Sequence, residues 1–256
     1  MTNDVRVFPD MDTLSDAAAA AIRQCIRGAV ADRGEAVLAL SGGHTPEGLF
    51  RRLALRPQAL PWKELQVFWV DERWVSSDDP HSNFGTAQRG WFAPADAPPD
   101  HLHPIPTDRR SPGAAAEEYE RLLRGYAQRR APCPLFDLVI LGLGTDGHTA
   151  SLFPDQPAPI DAWVAPVDAP AQYTIRSRVT LTPLALNQSR NVMFLVSGAE
   201  KAPAVRAALA REGDVGATPS RSIRPRGRRL WFVDEAAYSQ VSTSATAPEA
   251  SPRTSS

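Results

Sequence analysis

The chain has 256 residues, enough to bury a full core as one large domain or two small ones. Its 43% hydrophobic and 22% charged residues are those of an ordinary globular protein, and a formal net charge of −1 supplies no global basic field for nucleic acid or a lipid surface. No apolar run is long enough to span a membrane and no signal-peptide core opens the chain, while the two cysteines, Cys25 and Cys133, stand far apart with nothing of metal-ligand spacing beside them; a cytoplasmic protein with reduced thiols is expected. Val5 to Phe8 reads as a first strand, followed by an Ala-rich helix from Asp12 to Arg33 with Gly34 as its C-cap. Ala36 to Leu40 is a second strand, Glu47 to Ala54 a helix, and Gln66 to Val70 a third strand ending at Asp71-Glu72-Arg73. Ser82 to Phe92 reads as helical, Pro94 to Pro112 as extended surface loop, Ala114 to Arg129 as helix and Phe136 to Leu141 as a buried strand. Strands are expected at Trp163 to Val167, Tyr173 to Leu181, Val192 to Val196 and Leu230 to Val233, with a helix over Ala199 to Ala210. The alternation implies parallel βαβ units with helices on both faces of the sheet. From Ser239 the chain is mostly Ser, Thr, Ala and Pro with almost no large apolar residue, a composition expected to stay disordered, which leaves residues 1–238 as one domain.

The most informative stretch runs from Gly142 to Pro154, GLGTDGHTASLFP, directly after a buried strand. Gly142, Gly144 and Gly147 let the backbone turn sharply and approach a ligand, and Asp146 and His148 sit two residues apart on that turn. In a parallel sheet, ligands bind beyond the carboxyl ends of the strands, where this loop falls. A carboxylate there can orient the imidazole for proton transfer.

Ser41-Gly42-Gly43-His44-Thr45-Pro46 joins a strand to a helix, with Thr45 placed as N-cap and Pro46 at the first helical position. Its glycines offer backbone N–H groups at the helix's positive end, an anion cradle without the lysine of a nucleotide P-loop; a plain tight turn fits the same residues. Arg73 can fork onto a phosphate, a carboxylate or an oxyanion, or pair with Asp71 or Glu72. Asn83, in His81-Ser82-Asn83-Phe84-Gly85, is a polar donor or part of a helix cap. Lys201 stands in the first turn of a helix, where the macrodipole disfavours a cation unless an anion offsets it. Arg178 ends or interrupts a strand and could reach the same ligand. His101 and His103 read as exposed loop histidines, for no third ligand accompanies them. The six tryptophans read as core or pocket wall, with no basic stripe beside them for nucleic acid.

Taken in order, SGGHTP (Ser41 to Pro46), VDERWV (Val70 to Val75), HSNFG (His81 to Gly85), GLGTDGHTASLFP (Gly142 to Pro154), RVTLT (Arg178 to Thr182) and WFVDEAA (Trp231 to Ala237) resemble the 6-phosphogluconolactonase family, related to the glucosamine-6-phosphate deaminases. The resemblance runs from Val5 to Tyr238. Arg73 and the SLFP that ends the glycine-rich stretch look like the lactonase branch. At Ser76 to Pro80 the chain departs from the usual pattern, in which a proline follows DERxV. The resemblance implies an α/β fold with a single-domain Rossmann-like, mostly parallel sheet, shared with the deaminases and ribose-5-phosphate isomerases. It implies hydrolysis of 6-phospho-D-glucono-1,5-lactone to 6-phospho-D-gluconate in the pentose phosphate pathway. His148 would then be the general base, Asp146 its support, and Arg73 and Lys201 binders of charged oxygens, assisted by Ser41, Gly42, Gly43, Thr45, Asp71, Asn83, Gly144, Gly147 and Arg178. A lactone is an activated ester, so this chemistry calls for no metal, no redox cofactor and no serine nucleophile; Ser151 is outside any nucleophile-elbow pattern. The expected partner is the phosphosugar lactone, with no nucleic acid, membrane or obligate protein partner. Two other classes stay open: an isomerase or deaminase in which Asp71 removes a proton from carbon, and a non-catalytic sugar-phosphate sensor.

Overall fold

The computed structural model describes residues 3–157 and 159–241. Seven strands form one all-parallel sheet: β1 (Asn3–Phe8), β2 (Ala36–Leu40), β3 (Leu65–Trp69), β5 (Leu102–His103), β6 (Phe136–Leu141), β9 (Ser189–Val196) and β10 (Arg229–Asp234). Their spatial order is β1-β10-β9-β6-β2-β3-β5. Every residue of β2 and β6 is buried, which requires cover on both faces and explains why these strands read as unbroken apolar runs instead of alternating ones. Helix α1 (Met11–Arg33) packs across β1, β10, β6 and β2; Asp10 caps its start through Thr13 N–H, and Gly34, at φ 76°, closes its end as the sequence implied. The other helices are α2 (His44–Ala54), α3 (Asn83–Ala87), α4 (Pro112–Arg130), α5 (Pro183–Leu186), α6 (Ala202–Leu209) and α7 (Glu235–Tyr238). No described helix is long and apolar enough to cross a membrane.

A second, antiparallel sheet departs from the simple alternation: β4 (Asp71–Arg73), β8 (Ser177–Leu181) and β7 (Val164–Asp168), in the order β4-β8-β7. Val70 joins the two sheets, because its N–H donates to Leu40 O in the first while its carbonyl accepts from Leu181 N–H in the second. The chain therefore turns out of β3 at the carboxyl edge and carries Asp71, Glu72 and Arg73 into a new layer above it. Arg178 is a mid-strand residue of β8 and stands opposite Arg73 in the register, so it neither ends nor interrupts a strand.

The stretch from Pro94 to Pro112 is not free surface loop. It turns at Pro99–His101 and donates β5 to the open edge of the parallel sheet, with Ile105 buried. His101 and His103 are partly buried and engaged. His101 Nδ1 bonds Leu65 O at 3.0 Å, and the His103 ring stacks on Phe68 with centroids 4.5 Å apart. Three tryptophans, Trp69, Trp91 and Trp231, are fully buried, and Trp62, Trp74 and Trp163 pack against the core. Beyond α7, Ser239 caps the helix and Val241 packs partly buried on the core, while residues 242–256 lie outside the described residues.

Burial, then the nearby charges of His101 and Arg129, pushes His103 down from 6.5 to about 4. Between those values the unfolded chain holds a proton here that the folded chain does not, so stability falls as pH drops from about 6.5 towards 4. Urea unfolding across this range should show that slope, and His103→Phe should flatten it; an unchanged slope in the variant would remove His103 as its source.

Candidate active site

The carboxyl ends of β2, β3, β6 and β9 open into a cavity of about 550 Å³. Of the residues singled out from sequence, Ser41, Gly42, Gly43, Thr45, Asp71, Arg73, Asn83, Gly144, His148, Arg178 and Lys201 line it. Asp146 and Gly147 do not: Asp146 stands behind His148, and Gly147, at φ 86°, makes the turn between them. No tryptophan lines the cavity.

His148 Nδ1 lies 2.6 Å from Asp146 Oδ1, which also accepts the His148 backbone N–H at 3.1 Å. The second carboxylate oxygen accepts from Tyr173 Oη at 3.1 Å, and the Tyr173 hydroxyl lies 3.2 Å from His148 Nδ1. With Nδ1 as donor to Asp146, Nε2 is left as the acceptor. Phe153 packs beside the imidazole, centroid to centroid 4.9 Å, and Tyr173 meets it edge-on at 89°. Burial alone would raise the Asp146 carboxyl, but the hydrogen bond and charge of His148 hold it at about 2. Tyr173 is pushed up to about 12, first by burial and then by Asp146, so it stays a neutral donor. The loop has one close approach that decides its sequence: a Cβ on Gly144 would sit 1.9 Å from His148 Nδ1 and 2.5 Å from Asp146 Oδ1.

Across the cavity, Asp71 is buried and accepts from Ser151 Oγ at 2.7 Å and Asn83 Nδ2 at 3.3 Å. Asn83 fits because Gly42 has no side chain; a Cβ there would lie 1.9 Å from Asn83 Oδ1. Arg73 is held from the loop that follows it, its Nη1 donating to His81 O at 2.7 Å. Arg178 is 5% exposed and donates to Ile175 O at 3.2 Å. Its guanidinium lies 5.1 Å from the Tyr173 ring centroid. Burial, with Arg73 beside it, lowers the Arg178 pKa, and burial lowers that of Lys201 against the pull of Glu200 and Asp146. Among the described residues, none of these three cations is ion-paired with a carboxylate. The pairing of Arg73 with Asp71 or Glu72 that the sequence left open is therefore not formed. Helix α2 starts one residue before Thr45: Gly43, at φ 110°, is the N-cap and has no side chain to bond the first N–H groups. Three cations outside any ion pair and a helix start without a side-chain cap face one cavity, where Asp71 and Glu200 are the carboxylates in the lining, an arrangement suited to an anion. Among the described residues, no three His, Cys, Asp or Glu side chains are grouped as a metal site needs.

Residues 9–232 match the family described as glucosamine-6-phosphate isomerases/6-phosphogluconolactonase. The chain belongs to this family. A 6-phosphogluconolactonase of Synechocystis sp. is 40% identical over 240 residues, covering 93% of this chain and 98% of that protein. The crystal structure of a 6-phosphogluconolactonase from Thermotoga maritima is 31% identical, with a TM-score of 0.79 over 91% of this chain and 100% of the other. A monomeric glucosamine-6-phosphate deaminase, 23% identical over 93% of this chain and 99% of its own with a TM-score of 0.80, shares the fold.

In this member of the glucosamine-6-phosphate isomerase/6-phosphogluconolactonase family, one lining residue, Tyr173, and two supporting ones, Ser151 and Glu72, have roles that the sequence does not show. Tyr173 was read as the start of a strand, and nothing local ties it to Asp146, 27 positions away. Ser151, which lies outside any nucleophile pattern, donates its hydroxyl to Asp71. Glu72 is a hydrogen-bond acceptor for the loop that follows it and not the salt-bridge partner expected from its neighbour Arg73. It is 2% exposed, and its Oε1 accepts the N–H groups of Arg73 at 2.8 Å and Asn83 at 2.7 Å. Oε2 accepts from Ser82 Oγ at 3.0 Å and Phe84 N–H at 2.8 Å. Burial pushes the Glu72 carboxyl up, opposed by these donors. Since each oxygen already faces two donors, Glu72→Gln places an NH₂ group against one such pair. Urea unfolding should show a loss of about 2–4 kcal/mol, and a loss below about 0.5 kcal/mol would mean these four hydrogen bonds are dispensable.

Proposed function

We propose that this chain hydrolyses 6-phospho-D-glucono-1,5-lactone to 6-phospho-D-gluconate, the second step of the oxidative pentose phosphate branch. The observation that carries the reading is an imidazole whose Nδ1 is tied to the Asp146 carboxylate while its ring lines a cavity that also holds Arg73, Arg178 and Lys201. Water bound at His148 Nε2 loses a proton to it and attacks the lactone carbonyl carbon. The carbonyl oxygen gains charge in the tetrahedral intermediate. Collapse breaks the bond to the ring oxygen, which leaves with the proton returned by His148, so one water is consumed and the ring opens to an acid and an alcohol. Asp146 and Tyr173 keep the imidazole in one tautomer and support its positive charge once it is protonated. Arg73, Arg178, Lys201 and the Ser41 to Thr45 loop supply the donors for the phosphate and for the developing oxyanion. The catalytic unit is residues 1–238. A cytoplasmic setting fits the two free cysteines, of which Cys25 is pushed up to about 11 by burial and is thus a poor thiolate.

General-base assistance is worth ~10²–10⁴ in rate. His148→Asn should therefore lower kcat at least a hundredfold on freshly generated lactone, corrected for spontaneous hydrolysis, while phosphosugar binding survives. Near-normal turnover by the folded variant would sink the role of His148. Glucosamine 6-phosphate should release no ammonia; ammonia release without lactone hydrolysis would move the chemistry to Asp71.

If Lys201 reads the phosphate, Lys201→Ala should raise KM for the phosphorylated lactone far more than for unphosphorylated gluconolactone. Equal losses on the two substrates would show that Lys201 serves the reacting carbonyl or the fold instead.

A further inference from the structure

The catalytic cavity leaves unused the strongest charge asymmetry of the chain. Five arginines, Arg221, Arg224, Arg226, Arg228 and Arg229, fall within nine residues of a protein whose net charge is −1. Two of them are ordinary surface partners, since Arg228 pairs with Asp4 and Arg226 donates to Gln188. The remaining three join Arg211 around a separate cavity of about 450 Å³ with no acidic residue in its lining. Arg229 opens β10 at the end opposite the catalytic edge, roughly 17 Å along the strand from Asp234 at about 3.3 Å per residue.

Two of the four guanidinium groups are fixed in place by neutral acceptors. Arg221 Nη1 donates to Ala207 O at 2.9 Å and Ala210 O at 2.8 Å, capping the end of α6. Arg229 donates through Nε to Asn3 Oδ1 at 2.6 Å and through Nη1 to Ile223 O at 3.0 Å. Backbone and amide oxygens orient these groups without cancelling their charge, and each keeps N–H donors to spare. The side chains of Arg211 and Arg224 are exposed, and among the described residues neither has a hydrogen bond or an ion pair. The nearest acids in sequence are Glu212 and Asp214; neither lines the cavity, and Asp214 is occupied by Gly216 N–H at 2.8 Å. Burial of Arg229 and the charges of Arg221 and Arg224 together lower its pKa, the mark of like charges crowded without a counter-ion.

We propose that this cavity binds a small polyphosphorylated anion at a site separate from the catalytic one. Planar guanidinium forks match phosphate oxygens two at a time, and four positive charges call for more than one negative charge. Two anchored arginines give a preorganised floor, and the exposed side chains of Arg211 and Arg224, unpartnered among the described residues, can turn onto the ligand.

Inorganic pyrophosphate is the probe, titrated calorimetrically into the full chain carrying Arg73→Ala and Lys201→Ala, which weakens the catalytic anion site. One saturable site is expected there, and adding Arg211→Glu and Arg224→Glu should weaken it roughly tenfold or more. Both of these side chains are exposed, so the melting transition should persist. In a chain with the catalytic cavity intact, the same two substitutions should lower the number of pyrophosphates bound by one. Absence of saturable binding in the Arg73→Ala, Lys201→Ala background, or undiminished affinity and stoichiometry after Arg211→Glu and Arg224→Glu, would overturn the proposal.

Discussion

His148 can stay where it is only because Gly144 has no side chain. A single Cβ on that residue would lie 1.9 Å from His148 Nδ1, 2.2 Å from Cε1 and 2.5 Å from Asp146 Oδ1, so it would displace the imidazole and its carboxylate together. The backbone there is not held in the left-handed region, so the constraint is one of space. The two peptide hydrogen bonds of the turn, Gly144 N–H to His148 O at 2.7 Å and Gly147 N–H to Gly144 O at 3.1 Å, fold the loop back on itself. They bring the ring over the glycine. Gly147 supplies the positive φ that lets the chain reverse. Everything the cavity can do with a proton follows from this folded-back loop.

The rest of the fold brings charge to that proton acceptor. Parallel strands end at a common edge, so the loops after β2, β6 and β9 meet there without any long-range design beyond the sheet itself. Two of the three cations arrive by another route. Val70 hands the chain from the parallel sheet to the antiparallel one, and the register of β4 against β8 then sets Arg73 opposite Arg178. The two guanidinium groups repel one another, Asp71 beside them offsets part of that repulsion, and an anionic substrate offsets more. Glu72 holds the start of α3, and α3 in turn presents Asn83 to Asp71. Lys201 comes from a loop pinned by Asp234, which accepts from the Ser197 hydroxyl and the Gly198 N–H.

The central strands of the parallel sheet were legible in the sequence because β2 and β6 are buried on both faces and read as apolar runs separated by helices, whereas the two-residue edge strand β5 was not. The site was legible wherever a short motif held both partners, as with Asp146 and His148. Reading failed where the partners are distant or the element is too short to show a period. Three residues of β4 carry no alternation, so the second sheet and the Arg73–Arg178 pairing could not be seen. Tyr173 is a single residue whose meaning depends on a loop 25 to 27 positions earlier. Thr45 was placed as the cap from its residue type, but the φ of Gly43 moves the helix start ahead of it. His101 and His103 were read from a proline-rich setting, and the open edge of β3 that draws them in is invisible locally.

The Gly142 to His148 loop is shaped to hold one imidazole against one carboxylate. The most direct test is kcat of Gly144→Ala on 6-phosphogluconolactone, read beside its melting transition. Because the atoms in conflict are side-chain ends, the variant should fold and keep a cooperative transition while kcat falls by ~10²–10⁴, the range of lost general-base assistance. A folded Gly144→Ala protein that turns over at the wild-type rate would contradict the account.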